Sequence, residues 1–226
     1  MRGVCLTRFK IERIIITEHK KGGAMFIEFE GISGSGKTTQ CELLKPILEN
    51  VGYSVTIVNE PDMTKMGTTV DSILCSNTPR DRITEMFLFL AKEAELHSQI
   101  ISLEDRLPNN IIFRDGGRGS FLSYNHINTR LSIQTLERLH DRANAHQIPA
   151  VSILLDVPVD VALKRILNRH KRSRFDVLPR VFLKTQSDIL EHLATMLPNW
   201  IAVDGSLEED EVTSKILNKM SKIDVR

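Results

Sequence analysis

Cysteine is scarce and badly placed for bridging: Cys5, Cys41 and Cys75 are odd in number and form no CxxC pair. That excludes a disulfide framework and points to free thiols in a reducing compartment, the cytoplasm. No apolar run reaches the ~18 residues that a membrane-spanning helix requires, so no membrane partner is expected. Charge of one sign is not in excess, because 30 Lys and Arg stand against 29 Asp and Glu for a formal net charge of +1. A chain so balanced has no global basic surplus to draw it to nucleic acid. The histidines are scattered, without HxxxH or HxH spacing, which removes the usual zinc patterns. His97, His140 and His146 fall on expected helices and read as surface or core residues. No Ser-His-Asp arrangement has local support, and no repeat, low-complexity tract or linker divides the chain.

What remains is a globular composition, 41% hydrophobic and 26% charged over 226 residues, enough for one domain with a real core. Charge is uneven only at the start, where residues 1–24 hold six Lys or Arg and two Glu. A transit peptide would be acid-poor in this way, but it would also be Ser-rich and amphipathic. We therefore read 1–24 as an N-terminal extension and 25–226 as the domain.

Short apolar, β-prone runs at 26–30, 53–58, 110–115, 150–155 and 200–203 read as five strands. Between them, helical spacing predicts helices over 38–50, 80–103 (one or two), 131–145, 158–170, a segment ending at Leu197, and 207–220. Gly52 stops the first. Strands alternating with helices, and strands apolar throughout, predict a parallel sheet covered on both faces, a three-layer α/β/α sandwich. Ligands bind such sheets at the C-terminal strand ends, where Gly31, Glu60, Asp115 and Asp156 fall.

Gly31-Ile32-Ser33-Gly34-Ser35-Gly36-Lys37-Thr38 fits the phosphate-loop pattern GxxxxGK[ST], with a strand before it and a helix starting inside it. Glycines let the backbone turn its N–H groups toward phosphate oxygens, and the helix N-terminus adds favourable dipole charge. Lys37 is expected on the β- and γ-phosphates of ATP and Thr38 on Mg²⁺. Asp115, ending a strand beside the loop, reads either as the second acid near the metal or as a turn acid before Gly116-Gly117. Asp156 reads as a strand-end acid or a helix cap. Arg165 and Arg169, four residues apart, share a helix face, and Lys171, Arg172 and Arg174 extend the positive charge. This stretch reads as a solvated surface or, beside a phosphate site, as a lid over about 169–178 whose Arg165, Arg169 and Arg174 close on the transferring group.

Taken in order, several of these segments resemble the thymidylate kinase family. They are Met25 through Gly31, the loop ending Lys37-Thr38-Thr39-Gln40, Glu60-Pro61, Leu155-Asp156-Val157-Pro158 with Ala162-Leu163 and Arg165, and Arg174-Phe175-Asp176. The similarity spans about residues 25–222. It implies a P-loop core with strand order 2-3-1-4-5, Mg-ATP as donor, nucleotide substrates and, in many members, a homodimer. It also implies an acceptor site in which Phe89 stacks on the base, with Tyr124-Asn125 resembling a Tyr-Gln contact and Glu60 nearby; Arg114, Arg118 and Lys92, at neighbouring positions, are the cations expected to compensate for family arginines that this chain lacks. Phe89 reads equally as ordinary core.

Departures from the family cluster at the acceptor. Ser33 and Asn59 replace an acid and an arginine, Glu93 takes the slot of a phosphate-binding arginine, and Asp115-Gly116-Gly117 replaces Asp-Arg-Tyr, with Arg118 two places late. Three activities are therefore expected in competition. The first is phosphorylation of a nucleoside monophosphate, dTMP before others. The second is phosphorylation of a nucleoside 5′-hydroxyl with Glu60 as base. The third is nucleotide binding without turnover.

Overall fold

Five apolar strands pair in register as one parallel sheet in the order β2-β3-β1-β4-β5. The structure, a computed structural model, describes residues 25–58, 64–106, 110–145, 147–170 and 172–221. The elements run β1 (Met25–Glu30), α1 (Lys37–Glu49), β2 (Ser54–Val58), α2 (Lys65–Cys75), α3 (Arg82–Arg106), β3 (Asn110–Asp115), α4 (Arg118–Thr129) and α5 (Ile133–Ala143). They continue with β4 (Val151–Asp156), α6 (Val159–Leu167), a 3₁₀ turn (Arg174–Val177), α7 (Arg180–Met196), β5 (Trp200–Asp204) and α8 (Glu209–Met220). Both the α/β/α sandwich and the strand order expected from the resemblance are present.

The period of two along β1 sorts the layers. Ile27 and Phe29 enter one core with Leu44 and Leu48 of α1 and Ile216 of α8. Phe26 faces the other way, packing with Leu96 and Ile100 of α3. Glu28 and Glu30 alternate with Ile27 and Phe29 on the α3 and α4 side, and all six residues of β1 are buried. Phe29 meets Phe113 of β3 edge-on at 5.2 Å, and burying such a ring contributes about 1.5–3 kcal/mol.

Two helices escaped the sequence reading. In α2, Gly67, Thr68, Thr69 and Val70 lower the intrinsic propensity, yet Thr64 caps it from 2.8 Å and Val70 and Leu74 are buried. Helix α4 begins at three glycines within four residues, and its cap comes from another element. The Glu30 carboxylate accepts from the Gly119 N–H at 2.7 Å and the Ser120 N–H at 2.9 Å, and Glu28 accepts from the Arg118 N–H at 3.4 Å. Carboxylates at a helix N-terminus satisfy orphan donors and favour the dipole. A cap borrowed from β1, 90 residues away, leaves no local sequence signal. The 80–103 stretch is one helix.

Candidate functional site: two cavities sharing a wall at the phosphate loop

Between β1 and α1 the chain turns through Gly31 at φ +144°, Gly34 at +84° and Gly36 at +101°, conformations that side chains rarely adopt. Gly34 has a second reason to be glycine, because a Cβ would stand 2.5 Å from the Ala162 carbonyl oxygen of α6. Gly36 is the N-cap of α1 and supplies no side-chain hydrogen bond, so the first N–H groups of that helix remain available to an anion. Ile32 turns its side chain into the core, and the Ser35 N–H donates to its carbonyl at 3.1 Å. Lys37 Nζ donates to the Gly31 and Ile32 carbonyls at 3.0 and 3.3 Å, which lays the ammonium across its own loop.

Above the loop lies a polar cavity of about 190 Å³ lined by Ser33, Gly34, Gly36, Lys37, Thr38, Thr39, Asp115, Arg169, Ser173 and Asp176. The Thr38 hydroxyl donates directly to Asp115 Oδ2. The turn after β3 is made by backbone, the Gly116 N–H donating to the Phe29 carbonyl, so the contact that the Asp115 carboxylate makes is with the loop. Two hard oxygen donors side by side fit a small divalent cation, which takes few protein ligands and fills its shell with water and phosphate. Asp156 is exposed, and α6 has Pro158 at its N-cap, with no side-chain cap hydrogen bond.

The basic segment divides. Arg165 Nη1 donates to the Ser35 carbonyl at 3.4 Å. Arg169 Nη1 lies 2.8 Å from Asp176 Oδ1 and lines the polar cavity. Arg174 turns elsewhere, to Glu85 Oε1 at 2.5 Å and the Tyr124 hydroxyl at 2.8 Å, with its guanidinium 4.9 Å from the Phe175 ring centre. Lys171 lies outside the described residues. Asp176 joins this segment to the loop, accepting from the Ser33 hydroxyl and from the Ser173 N–H at 2.8 Å. Burial works against its charge, but the hydrogen bonds from Ser33 and Ser173 and the nearby Arg169 outweigh it and hold the carboxyl below its usual range.

Ser33 stands where the family resemblance implies an acid, and the clasp explains what a hydroxyl accomplishes there. An aspartate would set two carboxylates in contact and push the Arg169 segment off the loop. Ser33→Asp is therefore expected to lower kcat about tenfold or more and to raise proteolytic cleavage between residues 168 and 178. Ser33→Ala is expected to do less, because it removes one hydrogen bond without adding repulsion.

A second cavity, about 460 Å³, shares Ser33, Lys37, Thr38, Asp115 and Ser173 with the first. Its far walls are aromatic: Phe89 lies 5.4 Å from the Tyr124 ring and 6.1 Å from Phe175, and Phe121, Asn125 and Gln186 complete that end. Phe89 thus packs against core rings while presenting surface to the cavity. Tyr124 donates to Glu85 at 2.6 Å; burial and that carboxylate raise the phenol to about 12. Asn125 Nδ2 donates to the Phe121 carbonyl at 2.9 Å, and Asn125 lines the cavity.

The arginines expected here are elsewhere. Arg114 is 3% exposed and gives its guanidinium to Glu93 and, at 3.3 Å, to Glu28. Arg118 pairs with Asp141 at 2.5 Å and Glu137 at 3.2 Å on α5. Neither lines the cavity. The reason is competition: carboxylates on neighbouring elements, buried around Arg114 and half-buried around Arg118, claim both guanidinium groups. Glu93, also 3.3 Å from His140 Nε2, does line the cavity. Its burial would raise its pKa, but Arg114 and His140 dominate and bring it to about 2. Glu28 goes the other way, to about 7, because burial outweighs the attraction of Arg114. Glu60 and Asn59 lie outside the described residues.

One pocket was missed from sequence. Ser35, Gly36, Thr39, Gln40 and Arg165 enclose about 90 Å³ with Gly205, Leu207, Glu209 and Val212, on the side of the loop away from the aromatic cavity. The loop after β5 carries no motif; only its position at a C-terminal strand end marks it.

A family model described as thymidylate kinase matches residues 29–216. The thymidylate kinase of Thermosipho melanesiensis is 32% identical, over 85% of this chain and 95% of its own. That of Fervidobacterium nodosum is 31% identical, over 85% and 96%, and that of Thermosipho africanus 28%, over 88% and 98%.

Proposed function

The chain belongs to the thymidylate kinase family, and from that premise we propose that it transfers the γ-phosphoryl group of ATP to the phosphate of dTMP, giving dTDP for nucleotide biosynthesis. One observation carries the reading: a polar phosphate cavity and an aromatic cavity meet at Lys37, Thr38 and Asp115. A triphosphate on the loop and a planar base against Phe89 thereby bring donor and acceptor phosphates to a common wall.

Phosphoryl transfer asks the protein for position and charge, with little covalent chemistry. In this reading the N–H groups from Gly34 to Thr39 hold the β- and γ-phosphates, and Lys37 leaves its resting carbonyls to follow the moving charge. Arg165 approaches from α6 and Arg169 from the lid, and the pocket beside Gly205 and Leu207 takes the donor base. Thr38 and Asp115 would hold Mg²⁺, which would supply positive charge to neutralise the charge developing on the transferring phosphoryl group. The Thr38–Asp115 contact supports that assignment. Two described thiols, Cys41 and Cys75, are free, and among the described residues no helix is long and apolar enough to cross a membrane. Both facts support work in the cytoplasm, and family membership supports a homodimer. Residues 1–24 remain an extension in this reading.

Coupled assay of ADP release with purified protein, Mg-ATP and a panel of dTMP, dUMP, dCMP, dGMP and thymidine tests the proposal. Turnover with dTMP above every other acceptor is expected. Turnover of thymidine alone would move the assignment to a nucleoside kinase, and none with any acceptor would end it.

A further inference from the structure

The acceptor phosphate needs a cation, and the cavity offers few. Among its described lining residues only Lys37 and Lys92 are basic, while Asp71, Glu93 and Asp115 are acidic. Lys37 belongs to the donor loop. Arg114 stands behind Glu93, its charge shared between two buried carboxylates, and Arg118 is held by α5. An incoming phosphate therefore meets Glu93 where the family resemblance implies a guanidinium, and like charges repel unless a nearby cation compensates.

Lys92 is that cation by position. It lies on α3 one turn past Phe89, so a base on the ring and a phosphate on the ammonium would share one helix face. Its side chain is 8% exposed, and Nζ is 3.0 Å from Asp71 Oδ1 of α2, which lines the same cavity. Burying a lysine that deeply is costly unless its charge is answered, and Asp71 answers it while holding the ammonium at the cavity wall. An ammonium is a compact charge with three rotatable donors on a flexible stem, able to turn from carboxylate to phosphate without leaving its site.

We propose that Lys92, positioned by Asp71, is the acceptor-phosphate ligand of this chain, a lysine on α3 serving where relatives use the arginine that is Glu93 here. The assignment rests on the dTMP kinase reading and deepens it.

Calorimetric titration of dTMP and of thymidine separates the two, because only the phosphate distinguishes the ligands. Wild type should bind dTMP at least tenfold more tightly than thymidine. Lys92→Met should bring that ratio close to one, with thymidine and ATP affinity unchanged, and Lys92→Arg should restore most of it; a charge-assisted contact of this kind corresponds to about ten- to a hundredfold. A ratio in Lys92→Met equal to that of wild type overturns the assignment and leaves the kinase reading standing, provided dTMP still turns over. No dTMP preference in wild type overturns both. Should Lys92→Met fail to fold, Asp71→Asn decides. Freeing the ammonium from the group that positions it should weaken dTMP severalfold with thymidine unmoved, and dTMP binding as tight as in wild type or tighter counts against the role.

Discussion

Lys37→Ala is expected to lower kcat about a hundred- to a thousandfold, the range found when one preorganised donor to transition-state charge is removed. The fold should survive. Among the described residues Lys37 Nζ hydrogen-bonds only to two carbonyls of its own loop, and the turn is set by backbone, through three glycines at positive φ and the Ser35 to Ile32 hydrogen bond. The effect should fall on kcat more than on the KM for ATP, because the amides and the α1 dipole hold the ground-state phosphates in the mutant as well. Steady-state kinetics with a thermal melt checks this. A melt within about 2 °C of wild type with turnover lost supports the role, whereas unchanged turnover removes Lys37 from the reaction.

The largest effect on stability should come from Arg114→Met. The guanidinium is the cation between Glu28 and Glu93, all three nearly excluded from solvent. Removing one partner of a buried charge cluster leaves uncompensated carboxylates and typically costs about 3–5 kcal/mol, a large part of a domain's stability. Denaturant unfolding measures it. The triple change Glu28→Gln, Arg114→Met, Glu93→Gln is expected to recover much of the loss, which a simple packing defect at 114 would not. Glu28 adds a pH signature. Its carboxyl is raised from 4.5 to about 7 in the fold, so its contribution is intact below pH 4.5 and is lost as pH climbs through 7. Glu93, lowered to about 2, contributes above 4.5 and is lost as pH falls toward 2. Glu28→Gln should flatten the decline between pH 4.5 and 7 and leave the acid limb in place.

Much of this molecule could be read from residue order. The loop from Gly31 to Thr38 declares itself because its glycines, lysine and hydroxyl act through local geometry, and strand–loop–helix context is visible within 25 residues. The run 110–115 matches β3 end to end, since an apolar run closed by an acid is a local pattern too. The acceptor side was legible only in part. Phe89, Tyr124 and Asn125 line a cavity as the resemblance implied, but Arg114 and Arg118 do not, because their partners Glu28, Glu93, Glu137 and Asp141 lie between 19 and 86 positions away. Charge pairing over such separations has no period to read. The start of α4 was hidden for the same reason, its cap being Glu30 on another strand.

The central claim, that donor and acceptor phosphates meet over Lys37, Thr38 and Asp115, is tested most directly by titrating a molecule that joins adenosine and thymidine through five phosphates. One copy per chain is expected, at least a hundredfold tighter than ATP or dTMP alone and competitive with both, because a single ligand would span both cavities. Binding no tighter than ATP, with dTMP still free to bind, would contradict the account.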